Sequence, residues 1–186
     1  MKRIFDLFLA IMIIVPLLFP MLLIAITVRL TSKGPVLYWS RRVGVDNSIF
    51  HMPKFRSMRV EAPAVATHLM TNPNAFLSPI GAFLRRFSLD ELPQLFSILK
   101  GDMSFVGPRP ALYNQDDLIA IRTDKEVDKI KPGVTGWAQV NGRDELSIPD
   151  KVAFDVEYLE RQSFWFDLKI LWMTLLKVIK GANVSH

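Results

Sequence analysis

The hydrophobic pattern of the chain is dominated by one segment. Leu7 to Val28 is a run of 22 residues without a charge, long enough to be a membrane candidate. Its length, and the lack of a small-x-small cleavage site before a soluble-looking start, argue against a cleavable signal peptide. A single spanning helix fits the length. A re-entrant helix that enters and leaves by one face also fits, and two features favour it. Pro16 and Pro20 lie inside the run, where each removes a backbone donor and pushes the helix to kink or break. Both flanks are basic, with Lys2 and Arg3 before and Arg29, Lys33, Arg41 and Arg42 after. Flanking cations prefer the cytoplasmic side, so only a bent segment keeps both inside.

Downstream the pattern changes to short elements. Val36 to Met58 reads as two strands around a turn at Gly44 to Asn47, because its Val, Tyr, Trp, Ile and Phe favour strands. Glu61 to Pro79 has no clear periodicity and reads as a loop or lid. Ile80 to Arg86 is expected to be helical. Leu92, Leu95, Phe96 and Leu99 recur at helical spacing, with Gly101 as the stop. Asp117 to Lys131 reads as a charged surface helix ending at Pro132-Gly133, and Lys151 to Glu160 as a polar helix. In Phe164 to Lys180, Asp167, Thr174 and Lys177 form a narrow polar stripe. Trp165, Phe166, Trp172, Leu175, Leu176 and Ile179 fill the rest. That composition fits either a buried core helix or a helix lying in the membrane interface.

Composition sharpens the picture. The 186 residues suit one domain with a sizeable core. There is no cysteine, which excludes disulfides, thiolate metal sites and a thiol nucleophile. The net charge of +5 is uneven: nine Lys/Arg face only Asp6 and Asp46 before Val60. A basic N-terminal third suits nucleic acid, anionic lipid or phosphorylated substrates, and the apolar run beside it favours the last two. His51, His68 and His186 are scattered, with no zinc spacing and no hydrolase triad.

Four stretches carry candidate chemistry. Asp90 and Glu91 follow Arg85, Arg86 and Ser88. Ser88-x-x-Glu91 is a capping box, which would make both carboxylates structural. The functional alternative needs the same geometry: a carboxylate at a helix start stays ionised, and can attack phosphorus or hold a divalent cation. Arg109 lies between Pro108 and Pro110. Proline on each side stiffens the backbone, which suits either bidentate phosphate recognition or a rigid turn. Between Lys131 and Arg143, three glycines allow close backbone approach to a ligand, while Trp137, Gln139, Asn141 and Arg143 offer a stacking face, amides and a charge. Lys54 and Arg56 alternate along one strand, facing either a phosphate or anionic lipid.

Five stretches, in order, resemble the motifs of the bacterial sugar transferases, the monotopic phosphoglycosyl transferases. They are Lys2 to Asp6, Lys54 to Met58, Ser88 to Phe96, Lys100 to Pro110 and Pro132 to Arg143. The resemblance covers almost all of the chain. It implies an α+β fold in one domain, residues 1–186. Residues 1–33 would form a re-entrant membrane helix. Residues 34–186 would form a catalytic part with a small β-hairpin and interfacial amphipathic helices, the last over 164–180. It implies residence at the cytoplasmic face of a bacterial inner membrane and no nucleic-acid partner; a homodimer is compatible with it. Asp90 would attack the β-phosphate of a UDP-sugar, expel UMP, and pass the phosphosugar to polyprenyl phosphate. Glu91 would complete the dyad and Mg²⁺ would sit at Asp90. Lys54, Arg56, Arg85, Arg109 and Arg143 would bind phosphate groups. The chain departs from the family where a Ser-Pro pair usually breaks the re-entrant helix, reading Leu18-Phe19-Pro20. Two further classes share parts of the pattern: a hydrolase with an aspartyl intermediate, and a non-catalytic lipid-binding module in which Asp90 and Glu91 only cap a helix.

Overall fold

The computed structural model describes residues 1–63, 72–142 and 146–179. It is an α+β structure in which one long apolar helix lies against a body of short elements. Helix α1 (Lys2–Thr31) continues through Pro16 and Pro20 without ending at either. Interior proline costs a helix ~3 kcal/mol, but ending the helix among apolar residues would orphan several backbone groups at comparable cost each. The helix therefore carries its prolines.

The body grips α1 along its length. Ala10 and Ile14 pack with Leu95, Ile98, Met103 and Phe105. Met21 and Val28 pack with Phe55 and Leu84. The N-terminal end is fixed by polar groups. Lys2 Nζ donates to Asp167 Oδ2 at 2.6 Å. Arg3 donates to the carbonyls of Ile98 and Leu99. Buried Asp6 accepts from Ser104 Oγ and Phe105 N. At the other end, Arg56 Nη2 donates to Ser32 O and Oγ. The opposite face, from Phe8 through Val15 and Phe19 to Ile26, is exposed and apolar.

Strands β1 (Leu37–Val43) and β2 (Ile49–Phe55) form the expected antiparallel hairpin, with Ser40 opposite Met52. Met58 bridges to Leu77 across the stretch expected as a lid, of which residues 64–71 lie outside the described residues. Helix α2 (Gly81–Arg86) is followed by a turn of 3-10 helix, Leu89–Glu91, and by α3 (Gln94–Lys100). Gly101, at φ 104°, ends α3 in the left-handed region as a terminal glycine does. The buried face of α3 is Leu95 and Ile98, whereas Phe96 points outward. Strand β3 (Ser104–Val106) pairs in parallel with β4 (Gly133–Thr135). Between them α4 (Asp116–Asp124) is shorter than its charge pattern predicts: Glu126 turns left-handed and a 3-10 turn follows.

Helix α5 (Trp137–Asn141) leads to α6 (Ile148–Arg161), capped by Ser147 Oγ on Asp150 N. Helix α7 (Phe164–Ile179) turns Asp167 and Thr174 of its polar stripe inward, while Lys177 is exposed. Asp167 accepts from Tyr158 OH at 2.7 Å, and Thr174 Oγ1 lies 2.7 Å from Thr135 Oγ1. Phe166 and Ile170 are buried, while Trp165, Trp172, Leu175 and Leu176 are exposed. A helix that hides its polar groups and shows its aromatic and aliphatic ones is the inverse of a soluble surface helix. Lys180 lies outside the described residues.

Candidate active site

The left-handed turn at Ser88 sets the site. Ser88 has φ 53° and makes no side-chain cap, so the capping box expected from Ser88 and Glu91 does not form. A non-glycine residue here costs on the order of 1–2 kcal/mol, and such cost persists where surroundings enforce it. The turn rotates Asp90 inward, to 7% exposure, and leaves the Glu91 carboxylate facing two cations. Lys54 Nζ, from β2, donates to Glu91 Oε1 at 2.8 Å. Arg109 Nη2, from the loop after β3, donates to the same oxygen at 3.3 Å. Arg85, at the end of α2, donates through Nε to Ser57 Oγ. The end of β2 and the loop after β3, both distant in sequence, thus meet at one dyad beside the end of α2.

Electrostatics follows from this enclosure. Burial pushes the Asp90 carboxyl above its ordinary range; Lys54 opposes this, Glu91 adds to it, and Arg85 opposes it. The helix start at Asp90 favours the carboxylate less than the sequence suggests. The helix is a three-residue turn, and desolvation outweighs what its amides supply. Burial likewise pulls the Lys54 ammonium below its ordinary value, with Glu91 pulling it back and Arg109 and Arg42 lowering it further. An extra anion, such as a diphosphate, is attracted to Lys54, Arg85 and Arg109, while an extra cation is attracted to the dyad.

Other sequence candidates fall elsewhere. Arg56 is buried beneath the C-terminal end of α1, donating to Ser32 O and Oγ. Trp137 Nε1 donates to Glu157, and its ring packs on Phe166 with Lys169 above it. Gln139 Nε2 donates to Val134 O, and Asn141 Nδ2 to Trp137 O. Each of these three has a partner within the protein. Arg143 lies outside the described residues. The glycines of that stretch do allow close approach, but what approaches is protein: a Cβ on Gly133 or Gly136 would sit 2.2 or 2.1 Å from backbone atoms of Gly107.

Among the described residues no group of three or more His, Cys, Asp or Glu side chains could hold a metal. Asp90 and Glu91 offer carboxylate oxygens beside the cations. That fits a Mg²⁺ bound by one or two carboxylates plus substrate phosphates and water.

The features that sequence reasoning missed are long-range. They are the inward roles of Asp6 and Asp167, and the arginines that hold the Arg109 loop. Arg42 Nη1 donates to Pro110 O, and Arg122 Nη1 to Arg109 O.

A family model described as bacterial sugar transferase matches residues 1–181. The chain is 40% identical over 188 residues to "Uncharacterized sugar transferase EpsL" of Bacillus subtilis, covering 100% of this chain and 91% of that protein. It is 43% identical over 186 residues to "UDP-glucose:undecaprenyl-phosphate glucose-1-phosphate transferase" of Escherichia coli, covering 95% of this chain and 40% of that protein. It is 35% identical over 196 residues to "Undecaprenyl-phosphate galactose phosphotransferase" of Salmonella typhimurium, covering 97% of this chain and 40% of that protein. The chain thus spans well under half the length of the last two relatives.

Proposed function

The chain belongs to the bacterial sugar transferase family, and from that premise we propose that it moves a sugar 1-phosphate from a UDP-sugar to polyprenyl phosphate. The observation that carries this reading is the buried Asp90 set among Lys54, Arg85, Glu91 and Arg109. A nucleophilic carboxylate enclosed by cations is what attack on a diphosphate needs. The failed capping box at Ser88 removes the ground for treating the dyad as a mere helix cap.

In the first step a carboxylate oxygen of Asp90 attacks the β-phosphorus. The bond to the bridging oxygen breaks, and UMP leaves with the electron pair. The enzyme then holds the sugar phosphate as an acyl phosphate. In the second step an oxygen of polyprenyl phosphate attacks the same phosphorus and the Asp90 carboxylate is the leaving group. Arg109 and Lys54 hold Glu91 and balance the diphosphate's charge, and Arg85 faces Asp90. Mg²⁺, held by Asp90 with phosphate oxygens and water, would neutralise charge on the leaving group. The covalent route leads to ping-pong kinetics. The relatives' names put glucose and galactose first among the sugars to try.

The site works at a membrane surface on this reading. Both ends of α1 are bound to the same body, by Lys2, Arg3 and Asp6 at one end and by Arg56 at the other. A helix of 30 residues is ~45 Å long. Had it crossed a bilayer as a pole, one end would stand clear of the body. The exposed apolar faces of α1 and α7 instead dip into one leaflet, in a monotopic arrangement with both ends of α1 on the cytoplasmic side. The test is to incubate detergent-solubilised protein with UDP-glucose or UDP-galactose, Mg²⁺ and polyprenyl phosphate. Release of UMP with formation of the lipid diphosphate sugar supports the reading. Release of sugar phosphate into water would make the protein a hydrolase, and no release with any UDP-sugar would leave only a lipid-binding module.

A further inference from the structure

The loop that carries Arg109 is held by its carbonyls. Pro108 O accepts from Gly133 N, Arg109 O from Arg122 Nη1, Pro110 O from Arg42 Nη1, and Ala111 O from Val43 N, all at 2.8–3.0 Å. Two of these four donors are guanidinium groups. Arg122, on α4, is in turn held by Asp155 of α6, with Nε and Nη2 both donating to Oδ2 at 2.9 and 2.6 Å. Their side chains are 11% and 2% exposed.

A buried ion pair is a poor choice for stability alone, since apolar residues of similar volume do as well or better. What apolar residues cannot do is donate to a main-chain carbonyl. Arg122 does so at the residue whose side chain reaches Glu91. Asp155 fixes two of its nitrogens, which leaves the third no freedom but the Arg109 carbonyl. We infer that Arg122 and Asp155 are positioning residues for Arg109: they fix its main chain so that its guanidinium meets the dyad and the diphosphate. This rests on the transferase reading above.

The alternative is that the pair merely staples α4 to α6. A double-mutant cycle separates the two. Arg122→Lys keeps the charge opposite Asp155 but loses the planar fork that serves two acceptors. A displacement of the loop by ~1 Å corresponds to up to ~100-fold in rate. UMP release should fall at least tenfold in Arg122→Lys, yet Arg122→Lys in an Arg109→Ala background should fall no further than Arg109→Ala alone, within about twofold. Losses that multiply would overturn the inference. Hydrogen exchange supplies a second readout, independent of turnover. The peptide spanning 107–112 should exchange at least tenfold faster in Arg122→Lys and in Asp155→Asn, while peptides of α6 and α7 keep their protection. Unchanged exchange at 107–112 would overturn the inference even with the activity lost. Loosening of α4 and α6 together would assign the pair to the staple. Failure of the wild type to release UMP would overturn the transferase reading instead, and exchange would still report on the loop.

Discussion

Replacing Gly136 by alanine isolates the role of loop position. Gly136 sits at φ −173° and ψ 175°, extended backbone that alanine adopts without strain, so any effect must come from the added methyl. That Cβ would lie 2.1 Å from Gly107 O and 2.6 Å from Gln139 Oε1. A comfortable C···O contact needs about 3.3 Å, so the two loops must part by roughly 1.2 Å. Gly107 is anchored by its own N–H on Thr135 O and precedes Pro108 and Arg109, so the displacement passes to the Arg109 loop. Overpacking of this kind costs ~1–3 kcal/mol, offset by ~0.4–1 kcal/mol from the less flexible unfolded chain. The net is a loss of roughly 1–2 kcal/mol, or about 2–8 °C in melting temperature at this chain length. The rate of UMP release should drop far more, by about 100-fold, if a 1 Å displacement of Arg109 matters as positioning effects do. Gly44→Ala is the control: its Cβ would meet only the Phe50 ring at 3.2 Å and Ser48 beyond it, and its rate should stay near wild type. Melting curves and rates for both variants decide the matter. A Gly136→Ala protein that melts lower but turns over at the wild-type rate would refute the link between loop position and catalysis.

Three further expectations follow from the same geometry. Burial raises the Asp90 pKa in the folded state, so ionised Asp90 costs stability above that pKa and nothing below the unfolded value near 3.9. Asp90→Asn should therefore melt higher than wild type at neutral pH, with the gap closing on acidification, while turnover is abolished. A gap that widens in acid would contradict this. Lys54→Met removes the largest influence lowering the Asp90 pKa, so the acid limb of the pH–rate profile should move to higher pH and the rate at neutral pH should fall about 100-fold, the lower end of the range for losing one such charge-stabilising group. An unmoved acid limb would detach Lys54 from Asp90. A single cysteine added ahead of Lys2, in a chain that has none, should resist an impermeant thiol reagent on intact cells and react after lysis; labelling from outside would mean that α1 spans.

What the sequence made legible is local. The hairpin, the Gly101 stop, the body of α6 and the long apolar run each depend on a few neighbouring residues. The dyad was also legible, but its setting was not. Glu91 meets Lys54 and Arg109 only because the chain folds back across 37 and 18 residues, and the left-handed Ser88 that presents it has no signature in a segment that spells a capping box. Trp137, Gln139 and Asn141 look like ligand-binding groups in a glycine-rich stretch, and each has a partner within the protein: Glu157 of α6, Val134 O of β4 and Trp137 O. One signal was available for the missed residues. Asp6, Asp155 and Asp167 each sit at helical spacing from apolar positions, Ala10 and Ile14, Val152 and Tyr158, and Ile170, and all of these are buried. A carboxylate inside an apolar stripe must find a buried partner, and each does: Ser104, Arg122, and Tyr158 with Lys2.

The covalent intermediate on Asp90 is the claim on which the account turns, and intact-protein mass spectrometry reads it directly. Wild-type protein and Asp90→Asn are mixed with Mg²⁺ and UDP-glucose or UDP-galactose, with no lipid acceptor present. The wild type should gain the mass of a hexose phosphate less water and release UMP in equal amount, Asp90→Asn should gain nothing, and polyprenyl phosphate added afterwards should remove the extra mass. UMP that forms only when both substrates are present, with no added mass at any time, would contradict it and place the two substrates in direct reaction.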